Sequence, residues 1–249
     1  MSSLANELCE FYCLSYNNKE RKAAMASKFQ QLNLHVNFYD GINFEDNRIC
    51  IPLNDNNNDN NNVKKCWSCM YGHLDMINKF LNETDKTYGV FCEDDIYLHK
   101  DFSENLITIA GDFRTMNLDV LLLGYLTSFK IEDYYQGYRA KLPGSFENRP
   151  HKYHNYPDDL WGTQMYMVSR PYAQSILDKY YHRYAEQSLD PSLQMTPFSS
   201  DWTITKDGNR ALVYPMYAVE DGKTHYDHSG QEVYHQQCFA LNYDYKKHI

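Results

Sequence analysis

The sequence predicts an α/β protein in which a mixed, mostly parallel sheet is flanked by helices. Three observations predict it. Short apolar strands alternate with segments of one-faced helical spacing, the order that builds a parallel sheet covered on both sides. Asp119-Val-Leu-Leu-Leu-Gly124 is an unbroken apolar run stopped by glycine, as a strand buried on both faces reads. Asn17, Asp40 and the carboxylates Glu93 to Asp95 each follow a strand, and open α/β sheets bind ligands at the carboxyl ends of their strands.

Each element has its own signal. Residues 10–15 form a short aromatic-rich strand. Asn17 or Asn18 caps a helix over 19–32, where Met25, Phe29 and Leu32 share a face. Residues 36–39 make a second strand, ended by the turn pair Asp40-Gly41. The tract from Asn54 to Asn62 has no apolar side chain to bury and is expected to be a mobile loop. Its carboxylates, Asp55 and Asp59, lack the glycine hinge and closing glutamate of a calcium loop. A helix over 68–80 puts Met70, Leu74, Ile77 and Phe80 on one face, and Tyr88-Gly-Val-Phe-Cys92 is the strand that follows. After the strand at 119–124, residues 165–168 form another. That strand leads into Ser169-Arg-Pro171, a serine cap with proline in the first turn. The helix beyond it, through 180, buries Ala173, Ile176, Leu177 and Tyr180, and residues 212–214 are a late strand. No internal repeat divides the chain, so one domain over 1–249 is expected.

Composition removes several functions. The 249 residues carry 24 basic and 33 acidic side chains, a net charge of −9. An acidic surface without a basic run repels a phosphate backbone, which excludes nucleic acid as the main partner. A mean hydropathy of −0.69 and the lack of a long apolar run exclude a membrane span. The opening Met-Ser-Ser-Leu-Ala-Asn-Glu has neither the basic nor the apolar region of a signal peptide, so a cytoplasmic setting is expected. Seven cysteines, an odd number, do not suit a secreted disulfide framework. The Asn-rich tract points to an AT-rich genome, with host cytoplasm or a virus factory as the setting. Nothing in the sequence argues for or against a dimer.

The chemistry centres on Glu93-Asp94-Asp95. Three adjacent carboxylates at a strand end repel one another unless a cation joins them, and a hard divalent ion with oxygen ligands is the natural partner. In an extended segment residues 93 and 95 point to one side and residue 94 to the other. The chain contains no Gly-x-Gly-x-x-Gly, no Gly-x-x-x-x-Gly-Lys-Ser/Thr and no Gly-x-Ser-x-Gly. A nucleotide would therefore be held through a metal bridging its phosphates rather than by a glycine-rich loop. A second metal reading also exists. His225-x-x-His228, followed by His235-x-x-Cys238, and Cys66-x-x-Cys69 have zinc-like spacing.

Several motifs in order carry a family resemblance. Phe11-Tyr-Cys-Leu-Ser15, Arg21, Met25 and Phe38-Tyr-Asp-Gly41 resemble the opening of glycosyltransferase family 25, the lipopolysaccharide-type and collagen-type sugar transferases. Ser68-Cys69-Met70-Tyr71-Gly72-His73 is similar to the family's Gly-Cys-x-x-Ser-His, with Ser68 and Gly72 as departures. Phe91-Cys92-Glu93-Asp94-Asp95 is similar to Leu-Glu-Asp-Asp, Leu123-Gly124 to its Leu-Gly strand end, and Gly162-Thr163-Gln-Met-Tyr166 to Gly-Thr-x-x-Tyr. The resemblance spans roughly residues 10–205; the Asn tract is extra.

The resemblance implies a GT-A-type, Rossmann-like fold and transfer of a hexose, glucose or galactose, from a UDP-sugar to a hydroxyl acceptor such as a glycan, with Mn2+ or Mg2+ assisting. It makes Glu93 and Asp95 metal ligands within a DxD-like element, with Asp94 at the donor. It implies a further histidine ligand near the C-terminus, His228 before the Ser-Gly turn or His225. At the first strand end, Ser15 and Tyr16 are expected at the base and ribose, Arg21 at the diphosphate, Asp40 at ribose or base, and His73 in the donor site. An inverting transferase needs a carboxylate base; Asp201, beside Trp202, is the candidate, with Asp158 and Asp159 in reserve. Two rivals remain: a non-catalytic nucleotide-sugar or glycan-binding protein on the same scaffold, and a zinc-stabilised interaction protein.

Overall fold

The computed structural model describes residues 4–51, 57–131, 149–223 and 229–249. In chain order the elements are α1 (Leu4–Leu8), β1 (Cys9–Ser15), α2 (Lys19–Gln31), β2 (Asn37–Asp40), α3 (Asn57–Glu83), β3 (Tyr88–Glu93), β4 (Ile96–Leu98), α4 (Phe102–Thr115) and β5 (Val120–Gly124). Then come β6 (Lys152–His154), β7 (Met165–Ser169), α5 (Arg170–Tyr180), α6 (Tyr184–Gln187), α7 (Ser200–Thr203), β8 (Arg210–Tyr214), β9 (Ala218–Glu220) and α8 (Ser229–Asn242). The strands join one sheet in the order β2-β1-β3-β7-β5-β8-β6, with β9 bonded to β5 and to β4. On that path β2, β1, β3, β5 and β8 run one way, and β7 and β6 run against them. This is the mixed, mostly parallel sheet that the sequence predicts.

Helices cover both faces because the strands alternate. Phe91, Val120, Leu122, Tyr166 and Val168 belong to one core, with α3 and α5 supplying Met70, Leu74, Ile77, Phe80, Ile176 and Tyr180. Val90, Cys92, Leu121, Leu123, Met165 and Met167 belong to the other, covered by Met25 and Phe29 of α2 and by Phe102, Leu106, Ile109 and Phe113 of α4. Truncating a buried strand residue such as Leu122 would cost about 3 kcal/mol, from lost transfer energy and the cavity left behind. Gly124 ends β5 for a packing reason: a Cβ there would lie 2.8 Å from the carbonyl oxygen of Ala218 in β9. No helix among the described residues is long and apolar enough to cross a membrane.

The Asn-rich tract corrects one expectation. Residues 52–56 lie outside the described residues, but α3 begins at Asn57, so the tract from 57 to 62 is helix rather than loop. The physical reason is cooperativity. Once Trp67, Met70, Leu74 and Ile77 anchor the helix in the core, each residue added at its N-terminus gains a hydrogen bond without a new nucleation cost. Two boundaries also move. β2 includes Asp40, which becomes a strand end rather than a turn residue, and α3 starts eleven residues before the expected helix at 68.

Candidate active site

The carboxyl ends of β3, β4's start and β9 meet at one edge of the sheet. The antiparallel β4–β9 ladder pairs Ile96 with Glu220, and the Asp221 N–H donates to the Asp95 carbonyl at 2.7 Å. These contacts bring Glu220 to the end of β3, although it lies 125 residues from Asp95 in sequence. Because β7 runs backwards, the segment before it reaches this same edge. The resulting cleft is lined by Glu93, Asp95, Glu220, Asp201, Trp161, Gln164, Trp202 and His235, among others.

The cleft concentrates negative charge. Burial pushes the Glu93 carboxyl up to about 8, and the charges of Asp201 and Glu220 add to the shift. Burial also holds Asp95 well above the usual carboxylate range, with Glu93 and Glu220 reinforcing it, while Arg21 pulls the other way. Glu220 is itself buried and lies 2.6 Å from Nδ1 of His235. Gln164 contributes a buried amide oxygen with no hydrogen-bond partner among the described residues. Buried carboxylates that raise one another's proton affinity are the environment a divalent cation relieves.

Asp201 is held differently. Its Oδ1 accepts from the Gly162 and Thr163 N–H groups, each at 3.1 Å, and from the Thr163 hydroxyl at 2.8 Å. These donors belong to the turn before β7, and α7 brings Asp201 to them. Trp161 and Trp202 stand edge-to-face beside it, with ring centroids 6.4 Å apart.

The predicted residues divide between the cleft and its surroundings. Glu93, at the end of β3, and Asp95, in the bend before β4, line the cleft together. Asp94 turns away: its Oδ2 accepts from the Ser15 hydroxyl at 2.6 Å, and Arg21 approaches its Oδ1 at 3.5 Å. Arg21 also sits 3.4 Å from Asp95 and 4.0 Å from Asp221, so it faces carboxylates. Ser15, Tyr16, Asn17, Lys22, Asp40 and Gly41 line a neighbouring pocket at the end of β1. In that pocket Asp40 is exposed and ion-paired to Lys22 at 3.1 Å.

His73 lines neither pocket. It is fully buried behind Glu93, with Nδ1 at 3.0 Å from the Tyr166 hydroxyl and Nε2 at 3.4 Å from Glu93. Burial pushes its pKa down to about 4, so the ring is neutral at neutral pH. Asp158 pairs with Arg210 at 2.5 Å, and neither it nor Asp159 lines the cleft. His225 and His228 lie outside the described residues. The zinc-like spacings do not assemble as written: among the described residues His235 contacts Glu220, Cys238 is buried on α8, and neither they nor Cys66 join the one metal-capable trio, in which Cys69 stands with His73 and Glu93.

Sequence reasoning missed Glu220 and Gln164. Glu220 had a usable signal. Ala218-Val219-Glu220-Asp221-Gly222 repeats the pattern of an apolar strand running into carboxylates, on a strand only three residues long.

Comparison with known proteins adds an independent line. The model of glycosyltransferase family 25 (LPS biosynthesis protein) matches residues 10–189, well over half of the chain. No match was found among curated proteins. Similar solved structures include two of note. One is A197 from STIV, 13% identical, covering 88% of this chain and 95% of that one with a TM-score of 0.43. The other is a glycosyltransferase involved in the glycosylation of the major capsid of PBCV-1, 9% identical, covering 82% and 80% of the two chains with a TM-score of 0.35.

Proposed function

The chain belongs to glycosyltransferase family 25, and from that premise we propose that it moves a hexose from a UDP-sugar to a hydroxyl acceptor in the Glu93–Asp201 cleft with help from Mn2+ or Mg2+. The observation that carries this reading is the convergence of Glu93, Asp95 and Glu220 with Asp201 and two tryptophans on one cleft. The donor chemistry suits the ion, although the three carboxylates do not stand as a preformed trio and would draw together around it. Three carboxylates offer only oxygen, which suits a hard divalent cation, and the raised proton affinities of Glu93 and Asp95 mark charge that a cation would neutralise. Glu93, Asp95 and Glu220 would hold it. When bound, it would stabilise the charge that gathers on the departing nucleoside diphosphate.

The remaining work falls to the chain itself. The pocket of Ser15, Tyr16 and Asp40 receives the nucleoside, with the exposed Tyr16 ring available for stacking. Asp94 ties that pocket to the cleft through Ser15 and Arg21. Arg21 offsets carboxylate charge and stands ready for a diphosphate oxygen. Asp201, oriented by three donors to Oδ1, takes the proton of the acceptor hydroxyl, as an inverting transfer requires. Trp161 and Trp202 present apolar faces to an acceptor sugar and keep water away from the reacting carbon.

Calorimetric titration of UDP with and without Mn2+, on wild type and on Asp95→Asn, tests the reading. Binding that needs Mn2+ and vanishes in the variant supports it. UDP that fails to bind under either condition sinks it. Binding without turnover of any UDP-sugar would favour the non-catalytic rival.

A further inference from the structure

We propose that Cys69, His73 and Glu93 form a second metal site, for a thiophilic divalent ion of the zinc class, behind the carboxylate cleft. Cys69 and His73 lie one turn apart on α3, so both side chains leave the same face. That face meets Glu93 at the end of β3. The Glu93 Oε1 is 3.4 Å from His73 Nε2 and 4.0 Å from Cys69 Sγ, and the three donor atoms all lie within 4.8 Å of one another. A tetrahedral zinc ion with ordinary bond lengths separates its donors by about 3.3–3.6 Å. The trio therefore needs only a small inward movement of side chains to close on an ion.

Donor chemistry sets this trio apart from the cleft. A thiolate, an imidazole and one carboxylate select zinc-class ions, whereas the oxygen-only set of Glu93, Asp95 and Glu220 selects hard ones. Outer partners are already present. The Tyr166 hydroxyl at His73 Nδ1 can accept its N–H, which leaves the Nε2 lone pair facing Glu93. The Ser200 hydroxyl is 3.6 Å from Cys69 Sγ, and the Thr163 hydroxyl oxygen lies 3.3 Å from Glu93. Glu93 also lines the cleft, which gives an ion a way in and leaves the fourth position to water. Binding displaces to solvent the thiol proton and the proton of any protonated Glu93 carboxyl. Since Glu93 belongs to both sets, zinc held here withdraws a ligand from the cleft and inhibits transfer. That consequence rests on the transferase reading; the site itself does not.

Cobalt(II) is the probe, because a bound thiolate gives a charge-transfer band that oxygen ligands do not. We expect the wild-type protein to develop that band with one equivalent of Co2+ and to lose it when Zn2+ is added. Cys69→Ser should abolish it, Asp95→Asn should keep it, and Tyr166→Phe should weaken Co2+ binding about tenfold. Zinc X-ray absorption on the wild-type protein needs no variant and should show one sulfur neighbour. A zinc shell of nitrogen and oxygen alone overturns the proposal, as does a band that survives Cys69→Ser. An absent band with Mn2+-dependent UDP binding intact overturns this site alone. A band without such UDP binding overturns only the transferase reading.

Discussion

Asp112 is a buried carboxylate and Asp95 a half-buried one, and the fold treats them in opposite ways. Asp112 is surrounded by donors: the Tyr153 hydroxyl at 2.9 Å, Arg149 at 3.1 Å and His151 at 3.5 Å. Asp75 is similar, taking the Tyr39 and Tyr181 hydroxyls at 2.7 and 3.0 Å and the Arg48 guanidinium at 2.9 Å. Asp95 instead shares its surroundings with Glu93 and Glu220, whose charges raise its proton affinity. A carboxylate that supports structure is supplied with partners from the chain itself. One supplied with more carboxylates is poised for a partner from outside.

That contrast can be broken by experiment. The largest effect expected is on stability at Asp112. Asp112→Ala removes the acceptor of the buried Tyr153 hydroxyl and the carboxylate that Arg149 pairs with, and should cost about 2 kcal/mol in urea unfolding; a loss well under 1 kcal/mol would erase the distinction. Asp95→Asn should do the reverse. Without metal its stability should match or exceed that of wild type, while turnover of a UDP-sugar falls about 100-fold. Next comes the pH profile. Below 4.5 the Glu93 carboxyl is protonated whether the chain is folded or unfolded. Between 4.5 and about 8 the folded protein holds a proton that the unfolded chain releases, so stability of the metal-free protein falls as pH rises through that window. A decline of roughly 1–2 kcal/mol is expected, allowing for partial solvent screening. Glu93→Gln should shrink it, leaving the part that the raised Asp95 carboxyl contributes, and thermal melts across the range would show this. The smallest effect is at the cleft wall: Trp202→Ala should raise the acceptor KM about fivefold with kcat little changed.

Much of this arrangement was legible in the sequence, for physical reasons that differ by element. β1, β3, β5 and α5 declare themselves because burial on both faces or a capped one-faced helix imposes a residue pattern. Glu93 and Asp95 share the side that an extended segment would give them, although Asp94 and Asp95 lie in the bend between β3 and β4. α4 carries the same kind of pattern, with Phe102, Leu106, Ile109 and Phe113 on one face, and it was overlooked although the signal was present. β4 and β9 are three residues each, too short to show a period, so their pairing and the arrival of Glu220 depend on tertiary contact. The role of Thr163 and Gly162 as donors to Asp201 was equally hidden, because it joins two turns far apart in the chain.

The reversal of β7 has a consequence for synthesis on the ribosome. β2, β1 and β3 can pair as soon as residue 93 has emerged, and β5 follows by residue 124. Neither group bonds to the other; β7 bonds to both β3 and β5 and joins them. At ordinary elongation rates β7 is complete roughly 2–9 s after β5. During that interval the exposed edge of β3 and the whole of β5 are unpaired apolar strands, the kind of surface that recruits other chains. The nascent protein is therefore most exposed to aggregation before the strand that joins the two halves of its sheet has been made, and holding factors that cover strand edges would matter most in that interval.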